Sequence, residues 1–295
     1  MKIKETTRAA LRIVMLIALY FAMQLLFVSV ATTLCVLVAS RQGEIPADAL
    51  ARMSEARYLA TNPAVNDLLV DGAAIGMLVS TAVMLLFLHI SGNYRLRFRS
   101  FKLISHTPLL QSTMLIFAAM FALNIFVQWF PLQDKMAWMF EGLSHNILGI
   151  ISMVVLAPLL EEILFRGAIQ GVLMRLFGKP WPAIVVAALI FGIVHWNPVQ
   201  VVYATLLGIV LGWIYYRSGN LLYVIVGHVL NNAIAAYTTA AISPSVEEDF
   251  AATGSGIATF LFFAALAVLL AVRLHKGLPA PQNPWCESCD VPTKE

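Results

Sequence analysis

Apolar residues in this chain neither alternate nor recur as a single stripe; they come in long unbroken runs. The runs cover residues 13–37, 68–90, 109–130, 147–169, 183–196, 201–216, 221–240 and 257–272. An apolar stretch of about 20 residues crosses the hydrocarbon core of a bilayer as a helix, because a helix satisfies its own backbone where no water is present. The pattern therefore predicts an all-α fold, a polytopic transmembrane helix bundle of about eight spans. The fifth and sixth runs are short, so they are expected inside the bundle or lengthened by polar ends. Residues 39–66 are mixed in charge and predict an external loop or short helix. The first run, about 25 residues, is too long for the apolar region of a signal peptide, and no small-residue cleavage site follows it.

Composition agrees with this reading. Of 295 residues, 60% are hydrophobic and 12% charged, with a mean hydropathy of +0.82; soluble domains carry about 25% charged residues. The charges sort by loop. Lys2, Lys4, Arg8 and Arg12 precede the first run, and Arg95, Arg97, Arg99 and Lys102 follow the second. Arg175 and Lys179 follow the fourth, Arg217 the sixth, Arg273 and Lys276 the eighth. The intervening loops hold only Arg41, Arg52, Arg57 and Lys135, with most of the acids, among them Glu247, Glu248 and Asp249. An excess of Lys and Arg marks cytoplasmic loops, so both termini are expected in the cytoplasm. The chain's compactness points to the inner (cytoplasmic) membrane of a bacterium. The net charge of +3 belongs to these flanks. No P-loop, dinucleotide fingerprint or nucleic-acid motif is present, so the expected partners are the lipid bilayer and a membrane-associated substrate, with no nucleic acid.

Three parts follow along the chain. Residues 1–145 hold about three spans with almost no ionisable groups inside them. Residues 146–277 hold about five spans and nearly all the intramembrane polar chemistry. Residues 278–295 form a Pro-rich tail expected to be disordered and cytoplasmic. The tail pair Cys286 and Cys289 is half a zinc site at most, and Cys35 has no histidine partner signal.

The stretch APLLEEILFRGAIQG, residues 157–171, puts three formal charges in an apolar run. Each charge at a membrane helix centre costs about 2.5–3.5 kcal/mol on insertion scales. Glu162 and Arg166 are four apart, on one helical face with Cβ atoms about 5–6 Å apart, and can pair. Glu161 is rotated from Glu162 by about 100° and has no partner within its own helix. Pro158 cannot donate a backbone hydrogen bond and is expected to bend the helix near Glu161. Two further pieces follow. FGIVH sets Phe191 and His195 four apart, and HVLNN does the same for His228 and Asn232, with Asn231 on a neighbouring face as a weaker candidate. Gly167/Gly171 and Gly208/Gly212 have the spacing of helix-packing positions. His89, His106, His145 and His275 sit at span ends or in loops.

Each piece has a plain structural reading. Glu162–Arg166 can be a clamp, His195 a helix-end residue, His228 and Asn232 interhelical glue. As a set they do more. A carboxylate and a histidine can hold and deprotonate a water, and a histidine and an amide can donate to a developing oxyanion. That is an amide hydrolase without a serine or cysteine nucleophile. Glu161, His195 and His228 could instead ligate zinc as a metal-dependent protease, although no H-E-x-x-H is present. A non-proteolytic membrane scaffold is a third reading.

The three pieces, in order over residues 157–233, resemble the CPBP family of intramembrane glutamic endopeptidases. That family includes CAAX-processing proteases and bacteriocin-processing or immunity proteins of the Abi type. Its pattern is E-E-x-x-x-R, then F-x-x-x-H, then H-x-x-x-N, matched here by Glu161, Glu162 and Arg166, by Phe191 and His195, and by His228 and Asn232. The resemblance implies an eight-helix membrane endopeptidase without cofactor or metal. Glu161 and His195 would activate the water, His228 and Asn232 would form the oxyanion hole, and Glu162 and Arg166 would support the site. Its substrates would be peptides or membrane proteins, lipidated in some members, and some members act as non-proteolytic partners of membrane proteins.

Overall fold

The computed structural model describes residues 2–55, 58, 62–92, 105–241 and 251–278. Arg57, the basic residues Arg95, Arg97, Arg99 and Lys102, the acids Glu247, Glu248 and Asp249, and the tail with Cys286 and Cys289 lie outside the described residues, as do the side chains of Lys2 and Lys4. Among the described residues all regular structure is helical. The helices are α1 (Lys2–Gln42), the short α2 (Ala49–Arg52), α3 (Pro63–Ile90), α4 (His106–Gln128), α5 (Ala137–Ser144), α6 (Ile147–Phe177), α7 (Pro180–Ile193), α8 (Pro198–Ser218), α9 (Leu221–Ala241) and α10 (Gly254–Gly277).

Seven of them, α1, α3, α4, α6, α8, α9 and α10, are long and apolar enough to cross a membrane, and the chain is an integral membrane protein. The sixth run, read as short, is lengthened by polar ends into the 21 residues of α8. The fifth stays short: α7 has 14 residues, about 21 Å at 1.5 Å per residue. Its far end is nevertheless tied to the segment that follows α4, through Asn197 and Asp134. Prolines open α3, α7 and α8 in their first turns, where a missing N–H costs nothing. Gly178 and Gly219 close α6 and α8 in the left-handed conformation, φ 63° in each, which makes the connections to α7 and α9 tight.

α6 lies at the centre. Half of its apolar window is buried, against 11% for α1 and α10 at the periphery. Leu160, Leu164, Phe165 and Ile169 of α6 meet Ile116 of α4, Phe191 of α7, Leu211 of α8 and Tyr223 of α9 in the main core. Glu161, Glu162 and Arg166 of α6 therefore face protein rather than lipid. α1 and α3 approach closely at Gly72 and Gly76, where an added Cβ would sit 2.4 Å from the backbone Cα of Thr32 and of Val28. α10 packs on α4 through Phe121–Phe263, stacked at 4.9 Å. Arg217 of α8 donates to the carbonyls of His275 and Leu278, closing the end of α10.

The near absence of ionisable groups expected in the first three spans has one correction. Asp71 of α3 accepts a hydrogen bond from Asn146, the N-cap of α6, whose own side chain accepts from the Gly149 N–H. Asp71 lies near the end of α3 that faces the start of α6, so its charge is used as a tether.

With α7 counted as a crossing, the described residues make eight passes, an even number. Reporters fused at the carboxyl terminus and between α9 and α10 should then report opposite sides of the membrane, with the carboxyl terminus cytoplasmic. A common side for both would overturn the eight-pass reading.

Candidate active site

Pro158 does not break α6. The helix stays continuous through it, and is π-helical over Ile151–Leu156 and again over Glu162–Gln170. Such i→i+5 stretches are rare and concentrate at functional sites. The second one begins at the carboxylate pair.

Glu162 Oε1 lies 2.9 Å from Arg166 Nη1, an ion pair without hydrogen-bond alignment. The same oxygen accepts from His228 Nδ1 at 2.8 Å. On its other side, His228 Nε2 stands 3.6 Å from Glu161 Oε2. The imidazole of α9 is therefore set between the two carboxylates. Helical spacing places those carboxylates on different faces, about 100° apart. They nevertheless share one partner, because His228 enters from a neighbouring helix between them. Glu161, with no partner in its own helix, thus finds one across the bundle. The two acids differ in access: 12% of the Glu161 side chain is exposed and none of Glu162.

Arg166 is almost fully buried. Its guanidinium sits over the Phe191 ring at 4.3 Å, and its Nη2 reaches the Gly208 carbonyl at 3.5 Å. One turn on, Gln170 donates to the Gly212 carbonyl at 3.0 Å. The Gly208/Gly212 pair thus serves packing: a Cβ at Gly212 would come within 2.8 Å of Gln170 Oε1.

Phe191 is the hub of the site. Phe165 packs edge-on against it at 5.0 Å, His195 at 5.0 Å and His228 at 6.0 Å. His195 lies just past the end of α7, and its Nδ1 is 2.7 Å from the Phe191 carbonyl. A carbonyl can only accept, so Nδ1 carries the proton, and the neutral ring presents an Nε2 lone pair.

Asn232 donates through Nδ2 to the carbonyl of Met153, in the first π-helical stretch, at 2.8 Å. Its Oδ1 accepts from Asn231 Nδ2 at 2.9 Å, and Asn231 Oδ1 accepts from the Tyr203 hydroxyl at 2.5 Å. This chain fixes which way the Asn232 amide points and leaves its second Nδ2 hydrogen unassigned. Spacing marked Asn231 only as a weaker candidate and did not single out Tyr203. A tyrosine in an apolar span needs a partner for its hydroxyl, and that was the available signal. Tyr20 of α1, also unmarked in the sequence, packs edge-on against Phe165 at 6.5 Å and is close enough to Glu161 to feel its charge.

The structure thus brings Glu161, Glu162, Arg166 and His228 into one cluster, with His195 joined to it through the Phe191 ring and Asn232 one helical turn beyond His228. Among the described residues, no three of His, Cys, Asp and Glu converge as a metal site.

Fold and site together define a polytopic membrane protein whose central helix carries a buried carboxylate–imidazole–guanidinium cluster. Residues 143–234 match the family model described as Type II CAAX prenyl endopeptidase Rce1-like. The chain carries a domain of this family of membrane peptidases, and the matched stretch contains every site residue named above except Tyr20. No curated protein and no solved structure matches the chain.

Proposed function

We propose that the protein is an intramembrane endopeptidase of the glutamic type, hydrolysing peptide bonds close to the membrane. Glu161, aided by Nε2 of His195, takes a proton from a water whose oxygen attacks the substrate carbonyl carbon. The carbonyl oxygen becomes an oxyanion that accepts from His228 and from the second Nδ2 hydrogen of Asn232. Collapse breaks the C–N bond, and the proton held by the Glu161–His195 pair passes to the leaving amine. With its Nδ1 hydrogen given to Glu162, His228 donates from Nε2 as the doubly protonated ring. Glu162 and Arg166 hold that ring and the helix in place.

The observation that carries this reading is the asymmetry of the carboxylates. Glu162 is enclosed and engaged by both Arg166 and His228, while Glu161 keeps an exposed edge beside the same imidazole. A clamp needs the first arrangement and has no use for the second. The family description points to peptides ending in a prenylated CAAX sequence, and peptides of that kind form the first arm of the test.

A scaffold or immunity role draws on a different observation. The Asn232 amide already donates to Met153, as interhelical glue would. One experiment separates the two. Purified protein is incubated with prenylated CAAX peptides and with a membrane-protein library, with and without exhaustive chelation. Cleavage is expected, it should survive chelation, and no stoichiometric zinc should accompany the protein. No cleavage in any arm supports the scaffold. Activity lost together with one bound zinc supports a metal protease.

A further inference from the structure

We propose that Asn197 is a positioning residue for His195, acting through the connection between α4 and α5. This rests on the reading of His195 as part of the water-activating pair. His195 is not held by a helix: α7 ends at Ile193, and the histidine sits in a turn whose next residue, Trp196, has a positive φ of 54°. Trp196 is the only non-glycine residue with positive φ among the described residues. For a bulky side chain that conformation is a true outlier, and it persists only where its surroundings over-determine it.

The surroundings come from Asn197. Its side chain is fully buried, and both of its polar atoms are used on one segment. Nδ2 donates to Asp134 Oδ1 at 2.9 Å, and Oδ1 accepts from the Lys135 N–H at 3.2 Å. Asp134 Oδ1 also accepts from the Met136 N–H at 2.9 Å, so the carboxylate organises its own segment. An asparagine at the N-cap of a helix ordinarily accepts from the first-turn N–H groups. Asn197 occupies that position in α8 and makes no such bond. Its capping capacity is spent on residues more than sixty positions earlier, two residues from His195. Trp196 itself rests edge-on against Phe21 of α1 at 6.2 Å. The turn that aims His195 is thus fastened to the α4–α5 connection, while the Nδ1 bond to Phe191 fixes the ring.

A swap tests this. Asn197→Asp sets two carboxylates against each other and removes the donor. Asn197→Asp with Asp134→Asn exchanges the groups: the new amide donates to the new carboxylate, which still accepts from Lys135 N–H, while the Met136 N–H, which shares Asp134 Oδ1 with Asn197, is served only by a turn of the new amide that brings its oxygen round. The single variant should lose about 10²-fold in kcat, the scale of an ångström-sized misplacement, with KM nearly unchanged. The swap should restore kcat. Wild-type kcat in the single variant, or a swap that stays as low as the single, would overturn the proposal. Acylation of His195 by diethyl pyrocarbonate, followed by mass spectrometry, gives a second readout that needs no turnover. Its rate should change in the single variant and return in the swap; an unchanged rate in the single variant counts against the tether. Should the wild-type protein cleave nothing, the peptidase reading fails, and the labelling rates still decide whether Asn197 positions His195.

Discussion

Glu161→Gln and Glu161→Ala should each lower turnover by roughly 10³–10⁴-fold, in the upper range for a group that transfers protons in the transition state. The protein should remain folded. The reasoning runs from the contacts of the side chain. Glu161 faces His228 Nε2 at 3.6 Å with Tyr20 also near, has no bonded partner within its own helix among the described residues, and keeps an exposed edge. Replacing the carboxylate with an amide of the same shape leaves the packing of Leu160 and Leu164 around it untouched, and removes the base. The comparison is between initial rates on a cleaved peptide and the melting temperature of the same detergent-solubilised preparation. A variant that keeps its rate would remove Glu161 from the chemistry. A variant that loses rate and melting temperature together would make it a structural acid.

Glu162→Gln should do the reverse. Glu162 is fully enclosed and its Oε1 serves both Arg166 and His228. Taking away the charge leaves a buried guanidinium without its counter-ion. Breaking a buried pair in this way destabilises by about 3–5 kcal/mol, well above the median for an exposed pair. The π contact with Phe191 and the long bond to the Gly208 carbonyl do not neutralise a charge. The expected result is a clear drop in melting temperature and folded yield. Activity should fall at least in proportion to the folded fraction, because Glu162 also holds the His228 ring. Replacing the pair together, Glu162→Leu with Arg166→Met, should recover much of the melting temperature, since it is the unpaired charge that costs. Full stability in Glu162→Gln alone would show that Arg166 is balanced by some other group.

These two expectations show where sequence was enough and where it was not. The pair Glu162–Arg166 was legible because four residues along one helix are neighbours whatever else the chain does. The runs of apolar residues were legible for a similar reason: crossing a bilayer is a demand on each segment separately. Two runs were read as short: 183–196 stays short as α7, and the ends that lengthen 201–216 into α8 are visible as Pro198 and Ser218. The ordered pieces EEILFR, FGIVH and HVLNN pointed to the peptidase family, and the family match falls on the same stretch.

Spacing failed wherever the partner came from another helix. Glu161 and Glu162 point different ways along α6, and only the entry of α9 gives them one imidazole in common. Phe191 was noted for its spacing from His195; that its ring also carries Arg166 and touches His228 depends on how α7 lies across α6. Asn231 was discounted for its face, yet it orients Asn232, because Tyr203 of α8 reaches it from a third helix. Asn197, which no spacing marked, stands at the N-cap of α8 and is bonded to Asp134. What the sequence by itself determined is the set of helices, the membrane as their solvent, and the contacts closed within a single helix turn. Which polar groups meet, and which carboxylate is left with an open edge, was decided by helix packing. These cross-helix contacts join residues between 25 and 79 positions apart, where no local period carries information.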